Sequence, residues 1–379
     1  MLDRRGLHVY VHVPFCVDPC GYCNFFRKPY QAELERQYVR GIIQEIRLRI
    51  PPGAVLSTLY FGGGTPSLMT PESWDLLLRE FSGHGRIQDG AEWSLEANPG
   101  TIRPDTALFW RRAGLNRISV GVQSLDDDLL KFLNRIHTAD VAIRAICALR
   151  AAGWDNINAD LIYGIPGQSV SDCVSAVRRL SPDLTHLSAY ALTIEPGTPF
   201  ARRQVRPPPD DDVADQYAAI MESAAGAGLA QYEVSNFARA GRACRHNLNT
   251  WSYGTYIGLG PSAVGFDGKR RYKNVSDLAG WLDGLSRGAL PEACEERPDE
   301  STADQERLML GLRTTAGLKV SGSESRKWRA AIRRAGLSDC FVPDESRLRV
   351  KPDRMALLDE ILTRLQSARE ARAEAAVAG

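Results

Sequence analysis

Residues 7–23 read Leu-His-Val-Tyr-Val-His-Val-Pro-Phe-Cys-Val-Asp-Pro-Cys-Gly-Tyr-Cys. The run from Leu7 to Val13 alternates in polarity, which predicts a β-strand. Three cysteines follow at once, at positions 16, 20 and 23. They therefore stand at the carboxyl end of that strand, where parallel α/β barrels build their sites. An odd number of clustered thiols argues against paired disulfides and favours a metal ion or a metal cluster.

The chain after this loop repeats one unit, a short apolar run followed by a stretch of helical periodicity. Further strands are predicted at residues 56–61, 93–96, 117–122, 156–163 and 185–192. Thr70 and Thr138 are predicted N-caps of two of the intervening helices. Parallel strands need such crossovers. Because a complete barrel has eight units and the sequence has six, we predict an α/β fold with an open, partial (β/α)6 barrel over residues 1–205.

The pattern changes after the prolines at 207–209, which cannot continue a helix or a central strand. Residues 206–299 are predicted to extend the barrel, with a helix at 213–225, a strand at 232–234 and a long loop at 246–266. Residues 300–379 read as two helices, a hairpin near Pro343 and a helix at 353–365, which is similar to a winged-helix domain. The Ala-rich end is expected to fray.

The composition is that of a folded protein without a strong overall charge. The chain has 379 residues, 44% of them hydrophobic, and 47 Lys and Arg against 46 Asp and Glu give a net charge of +1. This balance argues against bulk attraction to nucleic acid or to anionic membranes. The sequence has no uninterrupted apolar run of the ~18 residues that a membrane span needs. We expect a cytoplasmic protein with no nucleic-acid partner and at most peripheral membrane contact.

The three clustered cysteines admit three interpretations. A 4Fe–4S cluster on three thiolates leaves one iron without a protein ligand, zinc prefers four closed ligands, and metal-free reduced thiols are the third alternative. No fourth cysteine follows directly, because Asn24, Phe25 and Phe26 come next. The softness and the number of the ligands favour the cluster.

The second predicted strand ends in Gly62-Gly63-Gly64-Thr65. Without Cβ atoms the backbone can approach a ligand closely, although the same run also suits a structural turn. Four polar residues stand at or just beyond the ends of later strands: Glu96, Gln123, Arg135 and Asp160. Each alone fits a capped or salt-bridged sheet edge, and together they could line one mouth with hydrogen-bonding groups.

These motifs occur together in the order seen in radical S-adenosylmethionine (SAM) proteins, and the chain resembles the coproporphyrinogen dehydrogenase-like group of that superfamily. Within the group it is most similar to heme chaperones of the HemW type. The resemblance implies a 4Fe–4S cluster on Cys16, Cys20 and Cys23 whose open iron chelates SAM. It also implies SAM contacts by Tyr10, Gly63, Gly64, Thr65, Glu96, Gln123, Arg135 and Asp160. In the related dehydrogenases, the positions of Gln123, Arg135 and Asp160 correspond to a second SAM site.

Two further features bear on which branch of the group the chain resembles. The dehydrogenases carry another cysteine two residues after the third, where this chain has Phe25, and this difference favours the chaperones. The stretch His246-Asn-Leu-Asn-Thr-Trp251 resembles the chaperones' heme motif His-Asn-x-x-Tyr-Trp, with Thr250 in place of tyrosine. Imidazole is a good axial ligand for heme iron, so His246 is the candidate heme ligand. A loop histidine bonded to the backbone is the alternative, and Cys244 is a competing thiolate.

The resemblance implies a heme chaperone that binds heme, a 4Fe–4S cluster and SAM. It would deliver heme to client hemoproteins such as respiratory-chain enzymes, without coproporphyrinogen dehydrogenase activity. Expected partners are heme, its clients and a reductant protein such as flavodoxin or ferredoxin, and a homodimer is an expected assembly. The alternative is a radical SAM enzyme of the methyltransferase, cyclopropanase or porphyrinogen oxidase type. A third hypothesis treats the winged-helix-like end as the DNA-binding module of a metal-sensing regulator.

Overall fold

A computed structural model of the chain describes residues 6–377, with side chains through residue 369. The strands of this part are β1 Leu7–Val13, β2 Phe15–Cys16, β3 Lys28–Pro29, β4 Val55–Gly63, β5 Arg86–Ala97, β6 Arg117–Gln123, β7 Ile157–Tyr163, β8 His186–Ala191, β9 Ala230–Glu233, β10 Asn236–Ala238, β11 Ile257–Leu259, β12 Val264–Phe266, β13 Arg271–Asn274, β14 Glu292–Glu296, β15 Leu318–Lys319 and β16 Arg347–Leu348.

The helices alternate with these strands over the first half of the chain. They are α1 Ala32–Arg49, α2 Pro71–His84, α3 Pro104–Arg112, α4 Asp127–Phe132, α5 Ala139–Ala151, α6 Val170–Leu180, α7 Pro199–Arg202, α8 Asp210–Gly226, α9 Arg245–Trp251, α10 Leu278–Ser286, α11 Glu300–Leu312, α12 Gly322–Arg334 and α13 Leu358–Val377. Within residues 6–377, none of them is long and apolar enough to cross a membrane.

Six parallel strands form the centre of the fold. They lie in the order β1-β4-β5-β6-β7-β8, and every neighbouring pair is parallel. The predicted partial (β/α)6 barrel is therefore confirmed. Three shorter strands extend the same sheet: β11 pairs parallel with β1, and β10 pairs antiparallel with both β8 and β9.

Two helix starts follow local sequence signals. The side chain of Thr70 accepts a backbone hydrogen bond from the first turn of α2, and Pro71 is the first residue of that helix. Thr138 does the same at the start of α5. Both predicted N-caps are confirmed, and each satisfies a backbone N–H that the helix itself leaves without a partner.

The two faces of the central sheet differ in polarity. Side chains that face the helices are apolar and buried, as Val9, Val11 and Phe61 illustrate. Polar side chains from alternate positions face the inside of the barrel: Tyr10, Tyr60, Glu92, Glu96, Arg117, Ser119, Asn158, Asp160, His186 and Ser188. Buried polar groups need hydrogen-bond partners, so the inside of the barrel is suited to a polar ligand.

Residues 206–299 complete both edges of the central sheet. The predicted helix in this segment is α8, which begins earlier than expected because Asp210, Asp211 and Asp212 interact favourably with its N-terminal dipole. The predicted loop over 246–266 is wrong in part, since α9, β11 and β12 lie within it. Phe237 and Trp281 of this segment share one hydrophobic core with the barrel. The division of the chain at residue 205 stays a prediction.

The C-terminal part has a hydrophobic cluster of its own, which includes Leu312, Ile332 and Ile361. The expected hairpin is present, because Phe341 pairs antiparallel with Val350 and the N–H of Val342 donates to the carbonyl of Arg349 at 2.9 Å. The last helix does not end near residue 365 but continues to residue 377. The residues that prolong it are mainly Ala, Glu and Arg, which are good helix formers.

Candidate functional site

A cavity of about 480 Å³ opens among the carboxyl ends of the barrel strands. Ten of the twelve predicted site residues line it: Cys16, Cys20, Cys23, Gly63, Gly64, Thr65, Glu96, Gln123, Arg135 and Asp160. The other two predicted residues, Tyr10 and His246, do not line the cavity. Residues far apart in sequence meet here since parallel strands deliver their carboxyl ends to one edge.

The cysteine loop is tied to the barrel at both ends and in the middle. The N–H of Lys28 donates to the carbonyl of Pro14 at 2.7 Å, and the N–H of Tyr30 donates to the carbonyl of Cys16 at 3.0 Å. In the middle of the loop, Gly21 lies against the ring of Phe200, and a Cβ at position 21 would overlap that ring. The backbone of the loop is therefore positioned by contacts that need no metal.

Two of the three thiols have hydrogen-bond donors of their own. Thr65 Oγ1 lies 3.7 Å from Cys16 Sγ, and Arg135 Nη1 lies 3.2 Å from Cys20 Sγ. Such donors stabilise thiolates, which are the form that binds metal. Burial raises the pKa of Cys16 and of Cys23, so metal binding has to displace their protons.

The arrangement of the thiols bears on the choice between one ion and a cluster. Among the described residues, no three His, Cys, Asp or Glu side chains converge on a single-ion site. In a cubane cluster, each thiolate binds a different iron and the sulfurs stay apart. Three soft ligands with donors at Cys16 and Cys20 therefore fit a 4Fe–4S cluster.

The glycine run packs directly against the start of the cysteine loop. The N–H of Gly64 donates to the carbonyl of Val13 at 2.8 Å, and a Cβ at position 64 would lie 2.6 Å from the carbonyl oxygen of Phe15. Gly63 has a φ of +109°, which side chains with a Cβ disfavour. The two glycines thus form a required turn, and the same turn lines the cavity.

Glu96 is held by donors from two directions. Tyr60 OH donates to Oε1 at 2.8 Å, and the N–H of Gly63 donates to Oε2 at 3.0 Å. Burial, and after it the nearby Asp160 carboxyl, raises the pKa of Glu96 to about 7. A carboxyl group poised near neutrality inside a cavity favours a cationic ligand, because that ligand stabilises its charged form.

Asp160 is oriented by side chains of the neighbouring strands. Ser119 Oγ donates to Oδ2 at 2.9 Å, and Asn158 Nδ2 donates to Oδ1 at 2.8 Å. Asn158 is fixed in turn by His186, whose Nδ1 lies 2.6 Å from Asn158 Oδ1. Burial raises the pKa of Asp160. The carboxyl group therefore has a defined direction before any ligand arrives.

The end of β6 is strained and rich in unused donors. Gln123 has a φ of +67°, a left-handed value that is uncommon for a residue with a side chain. Arg135 Nη2 donates to the carbonyl of Gly121 at 2.8 Å. In the described part of the chain, three other buried guanidinium nitrogens have no hydrogen-bond partner: Nε of Arg135, and Nε and Nη1 of Arg117. Unsatisfied buried donors beside a cavity call for acceptors from a ligand or water. The two carboxyl groups and these donors fit a zwitterionic, cationic molecule such as SAM.

Tyr10 lies beneath the cavity instead of in its wall. Its ring stacks on Tyr60 with centroids 6.1 Å apart, and its hydroxyl lies 3.0 Å from Nδ1 of His12. Nε2 of His12 lies 2.9 Å from the carbonyl oxygen of Phe26, which can only accept, so Nε2 carries the proton. His12 is absent from the predicted set, although strand alternation places it on the same face of β1 as Tyr10.

His246 is not in a loop but in the first turn of α9, and only 6% of its surface is exposed. Its Nδ1 lies 2.8 Å from Thr58 Oγ1. Burial, with smaller contributions from His8 and Arg117, lowers the pKa of His246 to about 3, so the imidazole is neutral. The ring is therefore packed inside the barrel.

The start of α9 is anchored by one buried carboxylate. Glu92 accepts hydrogen bonds from the backbone N–H groups of Arg245 and His246 at 3.0 and 3.1 Å. Cys244 is buried beside it, and burial raises the pKa of that thiol to about 12. Asn247, the next residue of the motif, reaches the cavity lining. This anchoring depends on contacts between distant segments, which sequence periodicity does not reveal.

Comparison with known proteins identifies the family. Residues 10–180 match the radical SAM superfamily, a range that includes the cysteine loop and strands β4 to β7. "Heme chaperone HemW" of Mycobacterium tuberculosis (strain CDC 1551 / Oshkosh) is 36% identical over 344 residues, which cover 87% of this chain and 88% of that protein. The chain belongs to the HemW family of the radical SAM superfamily.

Other HemW relatives agree with this assignment. The HemW protein of Escherichia coli (strain K12) is 38% identical over 271 residues, covering 70% of this chain and 71% of its own. That of Bacillus subtilis (strain 168) is 32% identical over 320 residues, covering 82% and 84%. The similarity to this chain thus covers most of the length of each of these HemW relatives.

A solved structure shows that this chain shares its fold with an enzyme. "Coproporphyrinogen III oxidase (HemN) from Escherichia coli is a Radical SAM enzyme" superposes with a TM-score of 0.82, covering 95% of this chain and 90% of that one. The sequence identity is 20%, so the likeness concerns the fold alone.

Proposed function

We propose that the chain is a heme chaperone whose cavity holds a 4Fe–4S cluster and SAM. The observation that carries this proposal is that ten predicted site residues line one cavity. The relatives that this chain matches over most of their length are named heme chaperones. Cys16, Cys20 and Cys23 would hold the cluster. When bound and reduced by an external one-electron donor, the cluster would supply an electron to the sulfonium of SAM.

The chain's own residues prepare this site. Thr65 and Arg135 donate hydrogen bonds to Cys16 and Cys20, two of the three residues that would hold the cluster. Glu96 gives up its proton near neutral pH and then attracts the positive charge of SAM. Asp160 is held ready by Ser119 and Asn158 for an amino group or a ribose hydroxyl. Whether Gln123, Arg135 and Asp160 also hold a second SAM stays a prediction.

Heme ligation by His246 is part of the proposal, and it carries a structural condition. The imidazole is buried, and Glu92 holds the backbone around it. A macrocycle as wide as heme needs open surface, so α9 has to move before His246 Nε2 can reach heme iron. We propose that heme then passes to client hemoproteins in the cytoplasm. A flavodoxin- or ferredoxin-type reductant and a homodimer also stay predictions.

The proposal is tested by titrating hemin into anaerobically reconstituted protein and by following the Soret band. We expect saturable uptake near one equivalent, followed by transfer of the heme to an apo-hemoprotein. His246→Ala should weaken uptake, whereas His84→Ala in α2, far from the motif in sequence, should leave it unchanged. Weak, nonsaturable uptake by the wild-type protein would exclude a heme chaperone.

A second candidate function is a radical SAM enzyme acting on a small molecule. The observation in its favour is that all four predicted polar strand ends line the cavity, as a reactive site requires. Dithionite-reduced protein with SAM and a true substrate would then give a modified product together with 5′-deoxyadenosine or S-adenosylhomocysteine. Slow SAM cleavage that no extract fraction stimulates would count against this candidate.

A further inference from the structure

The mouth of the cavity carries a cluster of exposed apolar side chains. Eleven large apolar side chains are exposed in the described part of the chain, and four of them line this one cavity. They are Val17 at 54%, Phe25 at 61%, Ile136 at 54% and Tyr190 at 41% exposure. Tyr190 lies deeper, beside Ser188 and Asp160 on the inside of the barrel. We call the other three residues, Val17, Phe25 and Ile136, the apolar rim. Exposed apolar groups that cluster around a cavity indicate a binding surface, whereas scattered ones do not.

The apolar rim is held in place by the backbone beneath it. Ile136 follows a segment bonded to the cysteine loop, because Asn134 Nδ2 donates to the carbonyl of Pro19 at 2.8 Å and the N–H of Gly21 donates to the carbonyl of Leu133 at 3.2 Å. Val17 and Phe25 belong to that same loop, on either side of its second cysteine. Two separate segments of the chain thus present their apolar groups from one bonded unit.

We propose that the macrocycle of heme binds on the apolar rim and covers the mouth of the cavity. This inference rests on the proposed function and assigns the heme to a surface that is already open, unlike His246. A porphyrin is a flat apolar disc with carboxylates at one edge, so it buries its face against aromatic and aliphatic side chains. The apolar rim offers such side chains before α9 moves, so the macrocycle binds here first and reaches His246 only after that movement.

One positive charge beside the apolar rim can pair with a carboxylate at the edge of the disc, whereas Asp18 and Glu195 of the same lining would repel it. Arg27 lines the same cavity, and its Nη1 donates to the carbonyl of Cys23 at 2.8 Å. Among the described residues, its guanidinium forms no ion pair with a carboxylate. A propionate of heme can supply that counter-charge. The placement puts heme directly over the cavity that receives the cluster and SAM.

The test compares hemin affinity in matched variants of the full chain with a reconstituted cluster. Val17→Ser combined with Phe25→Ser, and separately Ile136→Ser outside the cysteine loop, should each raise the dissociation constant of hemin by about tenfold. The control is Leu76→Ser on α2, because Leu76 is 54% exposed like Val17 but lies outside this cavity. Iron and sulfide contents confirm that each variant keeps its cluster, and sedimentation velocity records its oligomeric state.

The outcomes separate the inference from the function on which it rests. Weakened binding in both rim variants and unchanged binding in the control support the apolar rim as the heme surface. Saturable binding that the rim variants leave unchanged overturns the inference while the heme chaperone stands. If those variants also lose self-association, the apolar rim belongs to a contact between copies of the chain. No saturable binding by wild type overturns both.

Discussion

The hydroxyl of Tyr10 lies 3.0 Å from Nδ1 of His12, and this contact links a side chain packed beneath the cavity lining to the end of the cysteine loop. The other nitrogen of the same ring donates to the carbonyl of Phe26. Burial lowers the pKa of His12, so the ring stays neutral and keeps one tautomer. Through these two hydrogen bonds, a displacement of the cysteine loop by a bound cofactor would also displace Tyr10.

Replacing His12 by phenylalanine should loosen this link. The ring shape is kept, but the carbonyl of Phe26 and the hydroxyl of Tyr10 both lose a partner, at a cost of about 1–3 kcal/mol in the free energy of unfolding. Urea denaturation of the metal-free chain measures that loss. His84→Phe is the control, since His84 bonds one carbonyl at the less buried end of α2. Equal losses in both variants would show that the link has no special role.

Removal of any one cluster cysteine should abolish the cluster. Cys16→Ala, Cys20→Ala and Cys23→Ala each leave two thiolates, so the brown absorption near roughly 400 nm and the bound iron should disappear. Cys147→Ala is the matched control, because that thiol is exposed on α5 and away from the cavity. Retention of full iron content in a loop variant would mean that another ligand completes the site.

A methyl group at position 64 should be harmful, and one at position 83 should not. Gly64→Ala places a Cβ 2.6 Å from a backbone oxygen of the cysteine loop, which cannot move without shifting that loop. Gly83 lies in α2 with nothing within 4 Å of its Cβ position. Gly83→Ala should therefore stabilise the helix by about 0.5–1 kcal/mol. Thermal unfolding and SAM binding of the two variants distinguish strain in the loop from a general effect of the substitution.

SAM affinity should depend on pH through Glu96. The pKa of this carboxyl is raised to about 7 by burial and by Asp160, with Tyr60, Gly63 and Arg117 favouring its charged form. Above this value the carboxylate is ready for a cation, and below it SAM must first displace a proton. The dissociation constant should therefore rise as pH falls below 7. Glu96→Gln should bind weakly with a flat profile between pH 6 and 8, and equilibrium dialysis would reveal a profile that survives the substitution.

Asp160→Ala should weaken SAM binding about tenfold or more while sparing the cluster, because Asp160 faces the cavity without contacting a thiol. Iron content and SAM dialysis on the same preparation separate the two effects. Asp140→Ala, at the exposed start of α5, controls for the loss of a carboxylate. Loss of iron in the Asp160 variant would mean that its role in the site is misassigned.

Much of the fold follows from local sequence. Alternation at Leu7–Val13 and short apolar runs at the other five positions predicted all six barrel strands. The caps at Thr70 and Thr138 were visible because each side chain bonds its own helix. The same logic placed the cysteine loop and the polar strand ends at one edge. Local sequence did not predict helix α9, because its start depends on a tertiary contact. Glu92, from the distant strand β5, accepts hydrogen bonds from the first N–H groups of α9.

The position of His246 shows the same limit for the candidate site. A motif identifies the residue type but not its exposure, and here Thr58 from β4 holds the imidazole inside the barrel. His12 was overlooked for the opposite reason. Its role depends on a backbone carbonyl at Phe26, and a carbonyl has no signature in a sequence.

Strand β11 pairs with β1 and covers the outer edge of this first barrel strand. In the sequence, β11 comes after all six barrel strands. During translation the cysteine loop therefore leaves the ribosome early, while the open edge beside it waits for residues 257–259. An uncovered strand edge invites pairing with other chains. Slow elongation over the second half of the message would lengthen that interval. The yield of usable protein would then depend on how quickly β11 is synthesised.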